Sequence, residues 1–250
     1  MIKYSNMNIL LENTPVTYYW LGFLMADGSF NGYRLVLELG LLDSKHLQKF
    51  AKFIAYNKVI KNNRLAVMDT KPIKLLRKKF NIQNNKTIHP CNLTNIKDNN
   101  LFISWAIGFM NGDGGIYKQI GREDCQLKIK THVSWKENLQ LISNRLSKIA
   151  KVPPPVVRIN SYGYATLNLC NSILLKYLKN KINELHLPIL DRKWSLIDLN
   201  YISRVEQAKI NLVLIKKLLS KNYKHKDIAL KVGVSESSFC NTIRRKIYAK

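Results

Sequence analysis

The stretch Tyr19-Trp20-Leu21-Gly22-Phe23-Leu24-Met25-Ala26-Asp27-Gly28 returns later in the chain as Trp105-Ala106-Ile107-Gly108-Phe109-Met110-Asn111-Gly112-Asp113-Gly114. Gly, Phe, Asp and Gly recur in register, and a repeat of this length marks a duplicated structural unit. Each copy is followed by the same succession: alternating residues, a longer amphipathic stretch, two short alternating runs, then another amphipathic stretch. The chain reads as two similar halves.

The first half predicts a helix at 15–27, a strand near 33–40, a helix at 43–56, short strands near 57–61 and 64–69 and a helix at 71–81. The polar run Asn92–Asn100 joins the halves. The second half predicts a helix at 101–113, strands near 116–120 and 125–133, and a helix at 135–150. Pro153-Pro154-Pro155 then precedes strands near 156–160 and 164–170 and a helix at 171–184. The expected class is α+β, with halves over 1–95 and 96–204 and a basic module over 205–250.

Composition narrows the partners. Of 250 residues, 41 are Lys or Arg and 16 Asp or Glu, a formal charge of +25, which on a folded surface gathers polyanions. Nucleic acid is the expected partner, and an anionic membrane surface the competing one. The longest apolar stretches, Val16–Ala26 and Leu101–Met110, are shorter than the ~20 residues a spanning helix needs. Met1–Asn6 shows no secretory pattern, so an intracellular location is expected. Richness in Asn, Lys and Ile suits AT-rich coding DNA, as in organelles and phages, so the expected compartment is an organelle (mitochondrion or chloroplast) or a bacterial or phage-infected cytoplasm. Cys91, Cys125, Cys170 and Cys240 are scattered without zinc-ligand spacing.

Cys125–Val133 is the most informative strand. Leu127, Ile129 and Val133 alternate with Gln126, Lys128, Lys130 and His132, giving one apolar face and one row of long donors. That row suits phosphates and base edges, or else is an ordinary solvated face.

Each repeated segment carries small residues four apart, Gly22 with Ala26 and Gly108 with Gly112. Residues so spaced share a helix face, so two such helices can pack backbone to backbone. Asp27 and Asp113 then meet at the foot of the pair, each followed by a Gly suited to a left-handed cap. Two acids at two helix C-termini call for positive charge, and divalent cations on hard oxygens supply it. Paired cations beside a phosphodiester suit strand hydrolysis. The plain alternative is that Asp-Gly simply ends a helix and begins a turn.

Both segments resemble the LAGLIDADG motif, and from Tyr18 to Leu199 the chain resembles the double-motif LAGLIDADG homing endonucleases. Met25 and Asn111 stand where the motif has its first Asp; the final Asp and Gly match. The resemblance implies two pseudo-symmetric αββαββα halves, motif helices at the centre, and two sheets forming a saddle on the DNA major groove. It implies Mg²⁺ on Asp27 and Asp113 assisted by the carbonyls of Ala26 and Gly112, with Ca²⁺ or Mn²⁺ able to substitute for binding or cleavage. It assigns Lys86 and Lys193 to the scissile phosphates, where an ammonium stabilises developing charge or polarises water; the plain alternative is two solvated lysines. DNA contacts fall to Arg34, Gln126, Lys128, Lys130, His132 and Arg158. Cleavage across the minor groove would leave short 3′ overhangs.

Beyond the repeat, Ala208–Ser220 reads as a helix. Lys224–Ser235 reads as a short helix, a Gly233 turn and an N-cap serine, and Glu236–Lys246 as a final helix. This resembles a helix-turn-helix, and from Lys209 on eleven Lys and Arg stand against Asp227 and Glu236. Ser237, Ser238 and Asn241 are placed for base edges, Arg244 and Arg245 for phosphates. The alternative is a helical hairpin packed on the main body.

The expected function is a monomeric, Mg²⁺-dependent, site-specific double-strand DNA endonuclease with a long non-palindromic target, initiating intron or gene mobility. Two alternatives share the scaffold: an intron maturase binding intron RNA, and a non-catalytic transcription regulator. The regulators that join a degenerate motif domain to a helix-turn-helix lack the metal-binding acids, and this chain has both.

Overall fold

The computed structural model describes residues 5–118, 124–237 and 239–241, and the chain divides into two compact units, Met1–Leu199 and Asn200–Lys250. In the first half of the larger unit the order is α1 (Pro15–Ala26), β1 (Gly28–Asn31), β2 (Arg34–Glu38), α2 (Ser44–Phe53), β3 (Arg64–Met68) and α3 (Thr70–Phe80). The second half runs α4 (Asn99–Asp113), β4 (Gly114–Lys118), β5 (Cys125–His132), α5 (Lys136–Ala150), β6 (Arg158–Ile159), β7 (Tyr164–Leu169), α6 (Ser172–Glu184) and α7 (Asp191–Trp194). The class is α+β with two antiparallel sheets, ordered β1-β2-β3 and β4-β5-β7-β6.

The two repeated segments form the central helices. Thr14 caps α1, accepting from the Thr17 N–H at 3.2 Å with Pro15 at the first helical position, and Asp98 caps α4, accepting from Leu101 N–H at 2.8 Å. Every residue from Thr17 to Met25 and from Phe102 to Asn111 is buried, so both helices are core all round. They pack at backbone distance. A Cβ on Gly22 would stand 1.9 Å from the Trp105 carbonyl oxygen, and one on Gly108 1.9 Å from that of Tyr19. One apolar core runs through both halves, closed by the inward faces of the sheets and by the amphipathic helices.

Three local expectations change. A strand β1 follows α1 directly, while residues 57–60 form none: only Lys61 bridges to Arg64 around the left-handed pair Asn62 and Asn63, and Val59 is 80% exposed. Residues 57–59 are exposed and only Ile60 packs against the core, so the arm has no alternating face to hold it in the sheet, and the first sheet has three strands where the αββαββα resemblance implies four. Neither Gly28 nor Gly114 is left-handed. Each instead lets the strand start against its helix, since a Cβ would fall 2.6 Å from Leu24 O or 2.3 Å from Met110 O. The expected strand at 116–120 begins two residues earlier and is described over Gly114–Lys118, residues 119 and 120 lying outside the described residues.

The smaller unit contains α8 (Arg204–Leu219), opened by a Ser203–Glu206 capping box, and α9 (His225–Lys231). Gly233 turns the chain at φ +69, and residues 236, 237 and 239–241 are again helical. Ile215, Leu218, Ile228, Ala229 and Phe239 form its core. No described helix is long and apolar enough to cross a membrane.

Candidate active site

The foot of the α1–α4 pair brings the two repeated acids together. A Cβ on Gly112 would lie 2.2 Å from the Ala26 Cβ and 3.2 Å from Asp27 Oδ2, so Asp27 and Asp113 sit side by side, both open to solvent. Two lysines from distant segments close in on them. Lys86 Nζ donates to Met25 O at 2.7 Å and to Ala26 O at 2.6 Å. Lys193 Nζ donates to Asn111 O, to Gly112 O at 3.1 Å and to Gly114 O at 2.6 Å. Met25 and Ala26 occupy the same motif positions as Asn111 and Gly112, so the lysines are related by the pseudo-twofold of the halves.

Why these carbonyls attract lysine follows from the helix ends. The last carbonyls of a helix have no partner within it and carry partial negative charge. An ammonium donates three hydrogen bonds and satisfies several at once.

The charges are coupled across the interface. Desolvation raises the Asp27 pKa, opposed most by Lys193 and then by Lys86, while Asp43 adds to the rise. Desolvation pushes the Asp113 carboxyl up to about 6; Lys86 opposes it, Asp27 adds to it, and Lys193 opposes it less. Each lysine therefore binds carbonyls of one half while acting most strongly on the acid of the other. Burial lowers the pKa of both lysines; the two acids pull that of Lys86 back up, and Asp27, Asp43 and Asp113 do so for Lys193, where Arg192 lowers it further. The positive charge that the opposed helix ends demand is thus partly supplied by Lys86 and Lys193 themselves.

The donor set at the foot is all oxygen: the carboxylates of Asp27 and Asp113 and the carbonyls of Ala26 and Gly112. Each carbonyl keeps a second lone pair beside its lysine bond. Hard oxygen donors in small number fit Mg²⁺, which is held by one or two carboxylates and keeps several waters, and fit Ca²⁺ and Mn²⁺ by the same chemistry. Among the described residues no three His, Cys, Asp or Glu side chains gather as a metal cluster.

Both lysine-bearing segments are fastened by the opposite half. Trp135 Nε1 donates to Lys86 O at 3.2 Å and Thr87 O at 3.1 Å, and Asn138 Nδ2 donates to Cys91 O at 2.8 Å. In the other direction Arg192 grips Asp43 through two 2.7 Å bonds, and Lys49 Nζ donates to Ile189 O at 3.1 Å. The Asp43 carboxylate is held below its ordinary pKa chiefly by the Arg192 bond.

The second sheet carries five of the six contact residues expected in the larger unit. Lys128 and Lys130 are exposed, opposite Asn168 and Thr166; Arg158 is exposed and also opposite Thr166. Lys130 Nζ lies 4.2 Å from the Tyr164 ring centroid. His132 is half-buried and spends Nδ1 on the Ser134 N–H and hydroxyl. Gln126 departs from expectation: it is 9% exposed, and its Oε1 accepts from the Tyr117 hydroxyl at 3.2 Å. Tyr117 is its partner across the β4–β5 ladder, and two large polar side chains in one register cover each other. Tyr164, Thr166 and Asn168 join this face, in keeping with the alternation of 164–169. On the first sheet Arg34 is exposed beside Met68, and an ion pair at 3.6 Å joins Arg64 to Glu38. In the smaller unit Ser237 and Asn241 are exposed; Ser238, Arg244 and Arg245 lie outside the described residues.

Solved structures of LAGLIDADG homing endonucleases are similar to this chain. I-GzeII in complex with its DNA target has a TM-score of 0.49 at 13% identity, covering 80% of this chain and 93% of that one. I-LtrWI bound to target DNA has a TM-score of 0.45 at 14% identity, covering 91% and 97%. I-SmaMI on an uncleavable DNA has a TM-score of 0.48 at 14% identity, covering 80% and 93%. No family model and no curated protein matches the chain.

Proposed function

We propose that this protein is a LAGLIDADG-type, site-specific double-strand DNA endonuclease. The carrying observation is the paired foot of α1 and α4: two acids side by side, each motif helix end bound by its own lysine, in matched geometry. A duplex has two antiparallel strands related by a local twofold, and two equivalent acid–lysine sets on a pseudo-twofold suit one strand each.

In this reading Asp27 and Asp113, with the carbonyls of Ala26 and Gly112, hold divalent metal, Mg²⁺ above all, which when bound activates water and stabilises the leaving oxygen. Lys86 and Lys193 place an ammonium beside each scissile phosphate, where it stabilises charge developing on the phosphoryl oxygens. The carbonyls fix each ammonium before substrate arrives, so little reorganisation is left for the reacting complex.

The sheets form the saddle. Lys128, Lys130 and Arg158, with Tyr164, Thr166 and Asn168, contact phosphates and base edges in the major groove, and Arg34 does so from the first sheet. The net charge of +25 supports a long polyanionic partner. The smaller unit, with Ser237 and Asn241 exposed after the Gly233 turn, extends the contact as a helix-turn-helix. Cleavage across the minor groove, short 3′ overhangs, action as a monomer and a role in intron or gene mobility complete the proposal.

The test is selection of cleaved duplexes from a random library in Mg²⁺ with the full chain. A long, non-palindromic consensus with 3′ overhangs is expected. Recovery of no enriched sequence, or of cuts indifferent to sequence, would sink the proposal.

A further inference from the structure

Lys193 is flanked on both sides by groups that hang on one buried side chain. Asn111 is 1% exposed; its Oδ1 accepts from Leu190 N–H at 3.1 Å and from Trp194 Nε1 at 3.2 Å. Its Nδ2 donates to Ile107 O at 3.0 Å, one turn back in α4, which fixes the amide's orientation. Its own backbone carbonyl accepts from Lys193 Nζ. One residue thus holds the chain before Lys193, the side chain after it, and the ammonium itself.

The matching residue of the first half, Met25, has no such acceptor. Its carbonyl takes Lys86 Nζ at 2.7 Å, but the Lys86 segment is held by Trp135 of the second half. At this motif position the first copy has an apolar side chain where the second has an amide.

We infer that Asn111 is a positioning residue: it fixes the Leu190–Trp194 segment so that the Lys193 ammonium is presented at the carbonyls of Asn111, Gly112 and Gly114. Four rotatable bonds separate an ammonium from its backbone, so its placement is only as good as that of the segment bearing it. Buried donors left without an acceptor are costly, and Leu190 N–H and Trp194 Nε1 would shift to find others. Only the catalytic consequence of this inference rests on the endonuclease reading; the placement of Lys193 does not.

The experiment uses the full chain with Asn111→Met, which installs the first-half residue, and Trp194→Phe, which removes one donor should the first variant fail to fold. Lysine acetylation by acetic anhydride, read peptide by peptide by mass spectrometry, reports ammonium placement without any substrate. Lys193 labelling is expected to rise about fivefold while Lys86 labelling stays within about twofold, because only one segment is released. On a duplex that the parent chain cuts, the strand served by Lys193 is expected to be nicked about tenfold more slowly than the other, since small displacements of a positioned group are costly. Unchanged Lys193 labelling overturns the inference. So does an equal rise at both lysines with equal slowing of both strands, because general loosening would then explain everything. If the parent chain cuts no duplex, the endonuclease reading fails, and the labelling alone decides the role of Asn111.

Discussion

Gly22 lies against the main-chain carbonyl of Trp105, so closely that a Cβ there would stand 1.9 Å from the oxygen, and Gly108 repeats the contact on Tyr19. No real atom pair tolerates that distance, and a main-chain oxygen within a helix cannot swing aside. Gly22→Ala or Gly108→Ala is therefore expected to force the helices apart and cost about 3 kcal/mol or more, at the upper end for overpacking. Urea unfolding measures it; a loss below that of an ordinary surface substitution would mean the helices do not meet this way.

Asp27→Asn and Asp113→Asn each remove one carboxylate while keeping its shape. Cleavage of the selected target is expected to fall by about a thousandfold or more, with binding in Ca²⁺ retained, since charge stabilisation at the reacting phosphate is lost and the sheet contacts are not. Gel shift and cleavage assays on one DNA separate the two. A variant that cuts both strands normally would refute the shared-acid account.

Protons and cations compete for Asp113. Its carboxyl is pushed up to about 6, so it is neutral below that pH and ionised above it. Divalent-ion affinity is then expected to weaken as pH falls through about 6, by up to about tenfold per unit, and to level off at higher pH. Calorimetric Mn²⁺ titrations at several pH values test this, and Asp113→Asn should flatten the profile.

His46 is buried among Tyr19, Trp20 and Phe23, with Nε2 3.0 Å from the Tyr19 hydroxyl. Burial first, then the charge of Lys49, holds its pKa down to about 3 from an ordinary 6.5. The unfolded chain takes up this proton first, so stability is full above about 6.5 and falls as pH drops toward 3, by up to about 1.4 kcal/mol per pH unit. His46→Gln, which keeps a partner for Tyr19, should remove that part of the slope in denaturant melts at pH 4, 5 and 7. An unchanged slope would contradict a buried neutral imidazole.

Ending the chain after Ser203 removes the basic module. The DNA footprint is expected to shorten or weaken, and the salt dependence of binding to flatten by about one unit for each phosphate that the tail no longer neutralises, while some cleavage of the target remains. An unchanged footprint and salt slope would refute a DNA-binding role for the tail.

Much of the fold is legible in the sequence because the repeat carries its own packing rule. Gly22, Ala26, Gly108 and Gly112 announce a close helix pair, and Asp27 and Asp113 follow from it. Four-residue β1 escapes such a reading because its Gly-Ser-Phe-Asn sequence offers no alternation long enough to stand out from a turn. Strand parity alone points Gln126 outward, and only the cross-strand partner Tyr117 explains its burial. The lysine partners come from motif resemblance, not from periodicity, since nothing local in a lysine-rich chain distinguishes Lys86. The roles of Asn111 and Trp135 are out of reach of the sequence, because the partners of Asn111 lie far along its own half and Trp135 meets Lys86 only once the two halves have docked.

A seam built from main-chain atoms has an evolutionary consequence. When a gene segment is doubled, both copies inherit the same complementary surface without further change, and side chains away from it are released to diverge. Here only Gly, Phe, Asp and Gly remain common to the two motif stretches. The rest of each half has drifted, down to a sheet one strand narrower, so ancestry is still written in the backbone contact after the surfaces have ceased to match.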